Sequence, residues 1–184
     1  MRSALVLGGA ACAWDDLAKA REFGPFDATI AINDMLAHYQ GEIDFAVSLH
    51  PEKYHLWMSD RDSKGLARPK KFVAHAGNTQ EGRNAAFPVD IVTDYRWPGM
   101  NASGSSGLFA VKVALEHGFD RIILCGVPMD GKQSHFFDNT PWTEVQSFTE
   151  AWGIARPFIA EFTRSMSGKT RDWLGVPSLE WLGR

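Results

Sequence analysis

Cysteine is scarce in this sequence of 184 residues, which contains only Cys12 and Cys125. Two cysteines cannot build the framework of several disulfides that holds small secreted domains together. Free thiols are typical of a reducing compartment, so we expect both cysteines to stay reduced and the protein to be cytoplasmic.

Long apolar runs are also missing. No segment approaches the roughly 20 apolar residues that a membrane helix needs, so we expect no membrane association. The first apolar segment, Ala4 to Leu7, is ended by Gly8 and Gly9, and is shorter than the apolar region of a secretory signal. It is instead predicted to be a first β-strand.

An excess of positive charge is absent, because the formal net charge is -3. Proteins that bind nucleic acid usually carry a basic excess, so no nucleic-acid partner is expected. The hydrophobic content of 45% and charged content of 22% are ordinary for a globular protein. We expect a single domain over residues 1–184, with a helical C-terminal segment from about residue 140 packed on it.

Complete nucleotide-binding fingerprints are missing as well. The first loop lacks the third glycine of the dinucleotide fingerprint, and Ser167-Gly-Lys-Thr170 lacks the earlier glycine of a P-loop, since that position is Thr163. The basic residues Arg164, Lys169 and Arg171 are interpreted either as a phosphate contact or as a solvated turn. No closely spaced set of metal ligands occurs, so no metal site is expected.

Short apolar strands alternate with helical segments along most of the chain. Buried strands are predicted at Ala4–Gly9, Ala28–Asn33, Asp44–His50, Lys71–His75 and Arg121–Val127, with a possible edge strand at Val89–Val92. Such alternation predicts a Rossmann-like α/β fold with a mainly parallel sheet and helices on both faces.

The segment from Ser103 to Val127 contains the strongest local signal. A loop of small residues, Ser103 to Gly107, precedes a mostly apolar helix that ends near Gly118, and a β-branched strand follows. Amides at a helix N-terminus attract anions, so Ser105, Ser106 and Gly107 are candidate phosphate ligands. The alternative is an ordinary helix start capped by Ser105 or Ser106.

Small or polar residues follow several predicted strands. Because parallel strands gather their carboxyl ends at one edge of a sheet, these residues are expected to line one nucleotide pocket. The full set of candidates is Gly8, Gly9, Ala10, Asn33, Asp34, Ser105, Ser106, Gly107 and Gly126. As alternatives, the glycines only form a tight turn, and Asn33 or Asp34 only caps the next helix.

In this order, Leu-Gly-Gly9, Ala-Ile-Asn33, Asp-Phe-Ala-Val-Ser48, the helix from Ser106 and Ile-Ile-Leu-Cys-Gly126 resemble a known superfamily. It joins small bacterial sialyltransferases, which use CMP-sialic acid, to archaeal-type 6-hydroxymethylpterin pyrophosphokinases. The chain resembles most closely short phage-encoded relatives of unassigned activity. The resemblance implies a Rossmann-like fold that holds a nucleotide through Gly8, Gly9, Asn33, Ser106 and Gly107.

The chain departs from the superfamily in two loops. The first loop reads Gly8-Gly-Ala-Ala-Cys12, where the relatives usually have Gly-x-Gly-Pro-Ser. The last core strand is followed by Gly126-Val-Pro-Met-Asp130, two residues longer than the Gly-x-Asp of the relatives. No motif places the catalytic histidine, and His135 is the nearest candidate.

Three functions remain open from the sequence. One is a transferase that uses a nucleotide-activated donor, such as a CMP-type nucleotide sugar, with His135 as the base and Asp130 beside it. Another is pyrophosphoryl transfer from ATP, which would need Mg²⁺. The third is a non-catalytic phage protein that keeps the fold. For His135 itself, the alternative is a structural hydrogen bond to a loop carbonyl.

Overall fold

A sheet of seven parallel strands forms the centre of the computed structural model, which describes residues 1–76, 87–101, 104–131, 134–139 and 145–184. In chain order the strands are β1 (Ser3–Leu7), β2 (Ala28–Ile32), β3 (Phe45–Ser48), β4 (Lys71–His75), β5 (Ile91–Thr93), β6 (Arg121–Cys125) and β7 (Thr163–Ser165). Across the sheet their order is β5-β4-β3-β2-β1-β6-β7. The predicted parallel α/β fold is confirmed.

Helices cover both faces of this sheet. They are α1 (Ala13–Arg21), α2 (Met35–His38), α3 (Tyr54–Ser63), α4 (Ser106–Glu116), α5 (Val145–Ile159), α6 (Gly168–Leu174) and α7 (Leu179–Leu182), with a single 3-10 turn at Pro51–Lys53. Successive residues of a strand point to opposite faces, so Val6 packs with α4 and α5 while Leu7 packs with α1 and α2. None of the helices in the described ranges is long and apolar enough to cross a bilayer.

The chain reverses its direction across the sheet at β1. It moves outward from β1 to β5, and α4 then returns it to β6 on the other side of β1. In open parallel sheets the crevice outside the carboxyl ends of the strands, at such a switch point, is where ligands bind. The fold therefore places a crevice between β1 and β6.

Several boundaries differ from those predicted. The predicted edge strand at Val89–Val92 is β5, shifted to Ile91–Thr93, and β7 was not predicted. Thr163, Arg164 and Ser165 contain no apolar residue, so β7 is formed by pairing with β6 and not by its own pattern. The predicted helix start at Thr140 and the loop residue Ser103 lie outside the described residues.

Candidate functional site

A cavity of about 760 Å³ opens at the carboxyl edge of the sheet. Every predicted site residue except Gly8 lines it, namely Gly9, Ala10, Asn33, Asp34, Ser105, Ser106, Gly107, Gly126, Asp130 and His135. The structure therefore brings together residues from four separate parts of the chain. The volume of the cavity lies within the range of about 300–1,000 Å³ that is typical of small-molecule sites.

Gly8, which does not line the cavity, lies against Gly126, which does, at a close approach of two chain segments. The Gly8 amide donates a hydrogen bond of 2.8 Å to the carbonyl of Cys125. A Cβ atom on Gly8 would lie 2.4 Å from the Gly126 carbonyl oxygen, and one on Gly126 would lie 2.4 Å from that of Gly8. Both positions exclude a side chain, so the placement of Gly8 fits close packing rather than ligand contact.

The N-terminus of α4 opens into the cavity at its centre. Ser105 is the N-cap, and its Oγ accepts hydrogen bonds from the Leu108 amide at 3.2 Å and from Trp152 Nε1 at 3.0 Å. Ser106 Oγ accepts one from the Leu49 amide at 3.2 Å. The first amides of a helix have no acceptor within the helix and lie at the positive end of its dipole. This arrangement can hold an anion.

Asn33 and Asp34 are held by neighbours other than α2. Ser48 Oγ donates to Asn33 Oδ1 at 2.7 Å, and Trp57 Nε1 donates to Asp34 Oδ1 at 3.1 Å. Asp34 makes no side-chain cap bond to α2, although it occupies the N-cap position. Asn33 has a φ of 52°, in the left-handed region that residues other than glycine rarely adopt. Both side chains are fixed at the edge of the cavity.

A buried polar network holds the turn from Gly126 to Pro128. Asp16, which is 4% exposed, accepts hydrogen bonds at Oδ2 from the Gly126 amide at 2.9 Å and from Ser167 Oγ at 2.6 Å. Thr170 Oγ1 donates to the Val127 carbonyl at 2.6 Å, and the Thr170 amide donates to the Pro128 carbonyl at 3.2 Å. The Ser167–Thr170 segment that looked like part of a P-loop therefore supports the turn from outside the cavity.

Cys12 belongs to the same network, with Sγ at 3.1 Å from Ser167 Oγ. Burial raises the pKa of the Cys12 thiol to about 12, and the nearby charge of Asp16 adds to this. Burial likewise raises the pKa of Cys125. Both cysteines are free in the structure, and such pKa values make them poor nucleophiles.

The three basic residues near α6, namely Arg164, Lys169 and Arg171, are not part of the cavity lining. Arg164 instead donates to the carbonyls of Ala160 and Thr163, and its guanidinium lies 4.8 Å from the centroid of the Trp181 ring. The interpretation of these residues as a phosphate contact at this cavity is therefore wrong.

His135 is carried by a loop that pairs with the first glycine loop. Ala10 and His135 form an antiparallel bridge, and the Phe136 amide donates to the Gly9 carbonyl at 3.0 Å. The imidazole stacks on the Phe137 ring with the centroids 5.0 Å apart. This pairing places His135 beside the switch point.

The cavity extends past α4 to residues that the sequence did not single out as a site. Leu49, Lys53, His75, Tyr95 and Phe148 line this part. His75 ends β4 just as the predicted residue Asn33 follows β2, so the strand-end pattern was the available signal for it. Tyr95 follows a region with no clear pattern, so the sequence contained no signal for it.

His75 is 7% exposed, and its Nδ1 lies 3.3 Å from the Tyr95 amide nitrogen and 3.3 Å from the Thr93 carbonyl oxygen. Burial lowers the pKa of His75, although the Thr93 hydrogen bond and the charge of Asp94 oppose this shift. The imidazole is therefore neutral at pH 7. Among the described residues, no three His, Cys, Asp or Glu side chains are grouped as ligands for one metal ion.

The fold is similar to that of the sialyltransferase CstII from Campylobacter jejuni, solved in complex with a substrate analogue, cytidine-5'-monophosphate. The TM-score is 0.59 and the sequence identity 15%, and the similarity covers 97% of this chain and 87% of that chain. At this identity the likeness shows a shared fold. No family model and no curated protein sequence matches the chain.

Proposed function

We propose that the protein is a transferase that uses a nucleotide-activated donor, with a CMP-type nucleotide sugar as the leading candidate. The observation that carries the proposal is the N-terminus of α4, which opens into a cavity at the switch point of a parallel sheet. Helix N-termini in this position bind phosphate groups. The structural neighbour, solved with cytidine-5'-monophosphate, supports this choice of nucleotide.

The charges around the cavity favour a donor with a single phosphate. Lys53 is the only lysine or arginine among the described lining residues, while Asp34 and Asp130 carry negative charge. The α4 amides and Lys53 together can balance one phosphate group. A nucleoside diphosphate or triphosphate carries more charge and normally requires a divalent cation held by carboxylates.

His135 and Asp130 are the proposed catalytic residues. In the transfer, the acceptor oxygen forms a bond to the sugar carbon while the bond from that carbon to the phosphate oxygen breaks. The acceptor hydroxyl gives its proton to His135, and the leaving phosphate keeps the electron pair under the field of the α4 N-terminus. The Asp130 carboxylate, on the same loop, would stabilise the imidazolium that forms.

A calorimetric screen of CMP, UDP, GDP, ATP and CMP-sialic acid tests the proposal. We expect CMP and CMP-sialic acid to bind without added metal. Binding of ATP with Mg²⁺ alone would favour pyrophosphoryl transfer, and CMP binding without any turnover of CMP-sialic acid would favour a non-catalytic protein. Absence of binding by every nucleotide would refute the proposal.

Turnover of the donor then tests the base. His135→Ala should lower the rate by roughly a hundredfold or more while the Kd of CMP stays nearly unchanged. His55→Ala is the matched control, because His55 is exposed on α3 and does not line the cavity. An equal loss of binding and turnover in His135→Ala would remove His135 from the mechanism.

A further inference from the structure

The imidazole of His135 is one of three rings that stack beside the cavity. Its centroid lies 5.0 Å from that of the Phe137 ring, and the two planes are inclined by 25°. The Phe137 ring also stacks on the imidazole of His38, at 5.9 Å and 9°. Within the described part of the chain, the ring contacts of His38 are with Phe136 and Phe137 alone. His38 therefore reaches His135 only through Phe137, and we call these three rings the His38 stack.

Phe136 supports the His38 stack from the side. Its ring stands at 85° to the Phe137 ring and at 87° to the His38 ring, with the centroids 5.1 Å and 5.0 Å away. The same ring packs on Trp14 of α1 at 5.3 Å. Edge-to-face contacts of this kind are a favourable geometry for aromatic rings. Phe137 therefore cannot tilt away from His38 without also disturbing its contact with Phe136.

The backbone pairing with the first glycine loop places His135 but does not orient its ring. The Phe136 amide bonds the Gly9 carbonyl, and a Cβ atom on Gly9 would lie 3.5 Å from His135 Cδ2 and 3.3 Å from Phe137 Cε1. Both rings thus lie over the bare backbone of Gly9. Rotation about the side-chain bonds of His135 is restricted by the groups against which the imidazole packs. The Phe137 ring is such a group.

His38 itself stands on a firmly held support. It is the last residue of α2, which has four residues and is too short to be stable on its own. Arg61 of α3 donates to the carbonyls of Leu36 and Tyr39 at 2.9 Å and 2.6 Å. Lys64 Nζ donates to the carbonyl of the residue before His38 at 2.9 Å. These cations also interact favourably with the dipole at the end of α2, so the backbone that carries His38 is fixed from both sides.

The other end of α2 lies at the proposed nucleotide contacts. Asp34 occupies the N-cap position of α2, and both Asn33 and Asp34 line the cavity. Phe137 and His135 line it too, whereas His38 does not. One turn of helix thus joins the residues proposed to contact the nucleotide to the base of the His38 stack. His38 can act on a reaction in the cavity only through the ring that it supports.

We infer that His38 is a positioning residue, which acts through Phe137 to hold the His135 imidazole in the orientation that receives the acceptor proton. A general base must lie within hydrogen-bond reach of that proton, and a misplacement of about 1 Å can cost roughly a hundredfold in rate. A stacking contact uses the face of the imidazole, so it takes neither of the two nitrogens. The inference rests on the proposed function for the role of His135 as the base, whereas the orientation of the ring does not.

NMR of the ring C–H groups in protein labelled with 13C-histidine tests the orientation, because the chain has only six histidines. His135→Gln identifies the signals of His135. In the wild type we expect the ring current of Phe137 to shift these signals upfield. Phe137→Leu should remove this shift and His38→Leu should reduce it, while His38→Phe, which keeps a ring in the His38 stack, should retain it. His55→Leu is the control for the same replacement on the surface.

Turnover of the donor tests the role in the reaction. His38→Leu should lower kcat roughly tenfold or more while the Kd of CMP stays the same, and His38→Phe should keep most of the wild-type rate. Phe137 is 41% exposed, so Phe137→Leu should remain folded, which urea unfolding checks. It should lower kcat at least as much as His38→Leu does.

The possible outcomes separate the two proposals. A reduced upfield shift together with a lower kcat in His38→Leu, both kept in His38→Phe, supports the inference. Unchanged His135 signals in His38→Leu and Phe137→Leu, or altered signals with full turnover, overturn it. Absence of binding by every nucleotide refutes the proposed function, and the NMR signals alone then decide whether His38 orients His135.

Discussion

Asp16 is a buried carboxylate whose bonds reach across more than a hundred residues of sequence to the turn after β6. Its Oδ2 accepts from the Gly126 amide and from Ser167 Oγ. Asp15, the preceding residue, is exposed in the same first turn of α1. Since both aspartates are near the same helix N-terminus, they share the favourable interaction with its dipole. They differ in the network that Asp16 alone joins.

Asp16→Ala should therefore destabilise the protein by about 1–3 kcal/mol, because the Gly126 amide loses its acceptor in a buried position. Urea unfolding measures this change, with Asp15→Ala as the matched control for the helix dipole. The same variant should weaken CMP binding, because Gly126 lines the cavity. Equal stability in the two alanine variants would show that the network does not hold the turn.

His75 should make the stability of the protein depend on pH. Burial lowers the pKa of His75 in the folded state below the ordinary histidine value of about 6.5. Between the two pKa values the unfolded chain binds a proton at His75 and the folded chain does not. The contribution of the neutral imidazole to stability is therefore fully present above about pH 6.5 and is lost as the pH falls towards the folded pKa. Asp94, which favours the proton, and Arg96 and Lys112, which oppose it, also act on this imidazole.

Urea unfolding at pH 7.5 and pH 5.5 measures this dependence. In His75→Gln the loss of stability between the two pH values should be smaller than in the wild type. His55→Gln, which replaces an exposed histidine, should behave as the wild type does. An unchanged pH dependence in His75→Gln would show that His75 is not the source of this loss of stability.

The start of α4 is the element on which the site depends, and its packing is tight. A Cβ atom on Gly107 would lie 2.8 Å from Val127 Cγ1, in the turn after β6. A Cβ atom on Gly153 in α5 would have no such neighbour within 4 Å. Each glycine is inside a helix without a positive φ, so alanine is favoured by helix propensity at both positions.

The two substitutions should therefore have different effects, one on stability and the other on CMP binding. Gly153→Ala should stabilise the protein by about 0.5–1 kcal/mol, since only the helix propensity changes. Gly107→Ala should push Val127 away from α4 and raise the Kd of CMP, which calorimetry measures. Unchanged CMP binding in Gly107→Ala would mean that this contact does not shape the ligand position.

The elements that could be predicted from sequence are those with a strong local pattern. The apolar runs of β1, β2, β4 and β6 and the apolar helix α4 each carry that pattern, and the parallel fold follows from their alternation. The strand β7 carries none, because it is formed by pairing with an edge that only the folded sheet provides. Its polar residues explain why the sequence predicted too few strands.

The candidate site was predictable where a strand-end pattern met small or polar residues, as at Gly9, Asn33 and Gly126. The same pattern names His75 at the end of β4, but a histidine in an otherwise apolar strand was not weighed as a site residue. The support from Asp16 and Thr170 was not predictable, since it joins segments far apart in the chain. Contacts of this kind depend on tertiary packing, which no local pattern contains.

At the scale of the whole molecule, the two edges of the sheet differ in what they contain. The carboxyl edge carries the cavity, while the chain end packs at the amino edge, where Arg184 donates to the Phe23 carbonyl at 2.7 Å and to Ser3 Oγ at 3.2 Å. In α7, the Trp181 ring lies under the guanidinium groups of Arg121 and Arg164, at 5.3 Å and 4.8 Å from its centroid. This edge joins β1, β6 and α7.

Trp181→Ala should therefore lower stability without affecting the site. The loss of two cation–π contacts and of the bond from Trp181 Nε1 to the Glu161 carbonyl should cost about 1–3 kcal/mol in urea unfolding. The Kd of CMP, measured well below the unfolding temperature, should stay within twofold of the wild type because Trp181 does not line the cavity. Gly107→Ala, at the carboxyl edge, should show the opposite behaviour, with a larger effect on CMP binding than on stability. A large loss of CMP affinity in folded Trp181→Ala would mean that the two edges are coupled through the sheet, and that the arrangement of the cavity depends on the packing of α7.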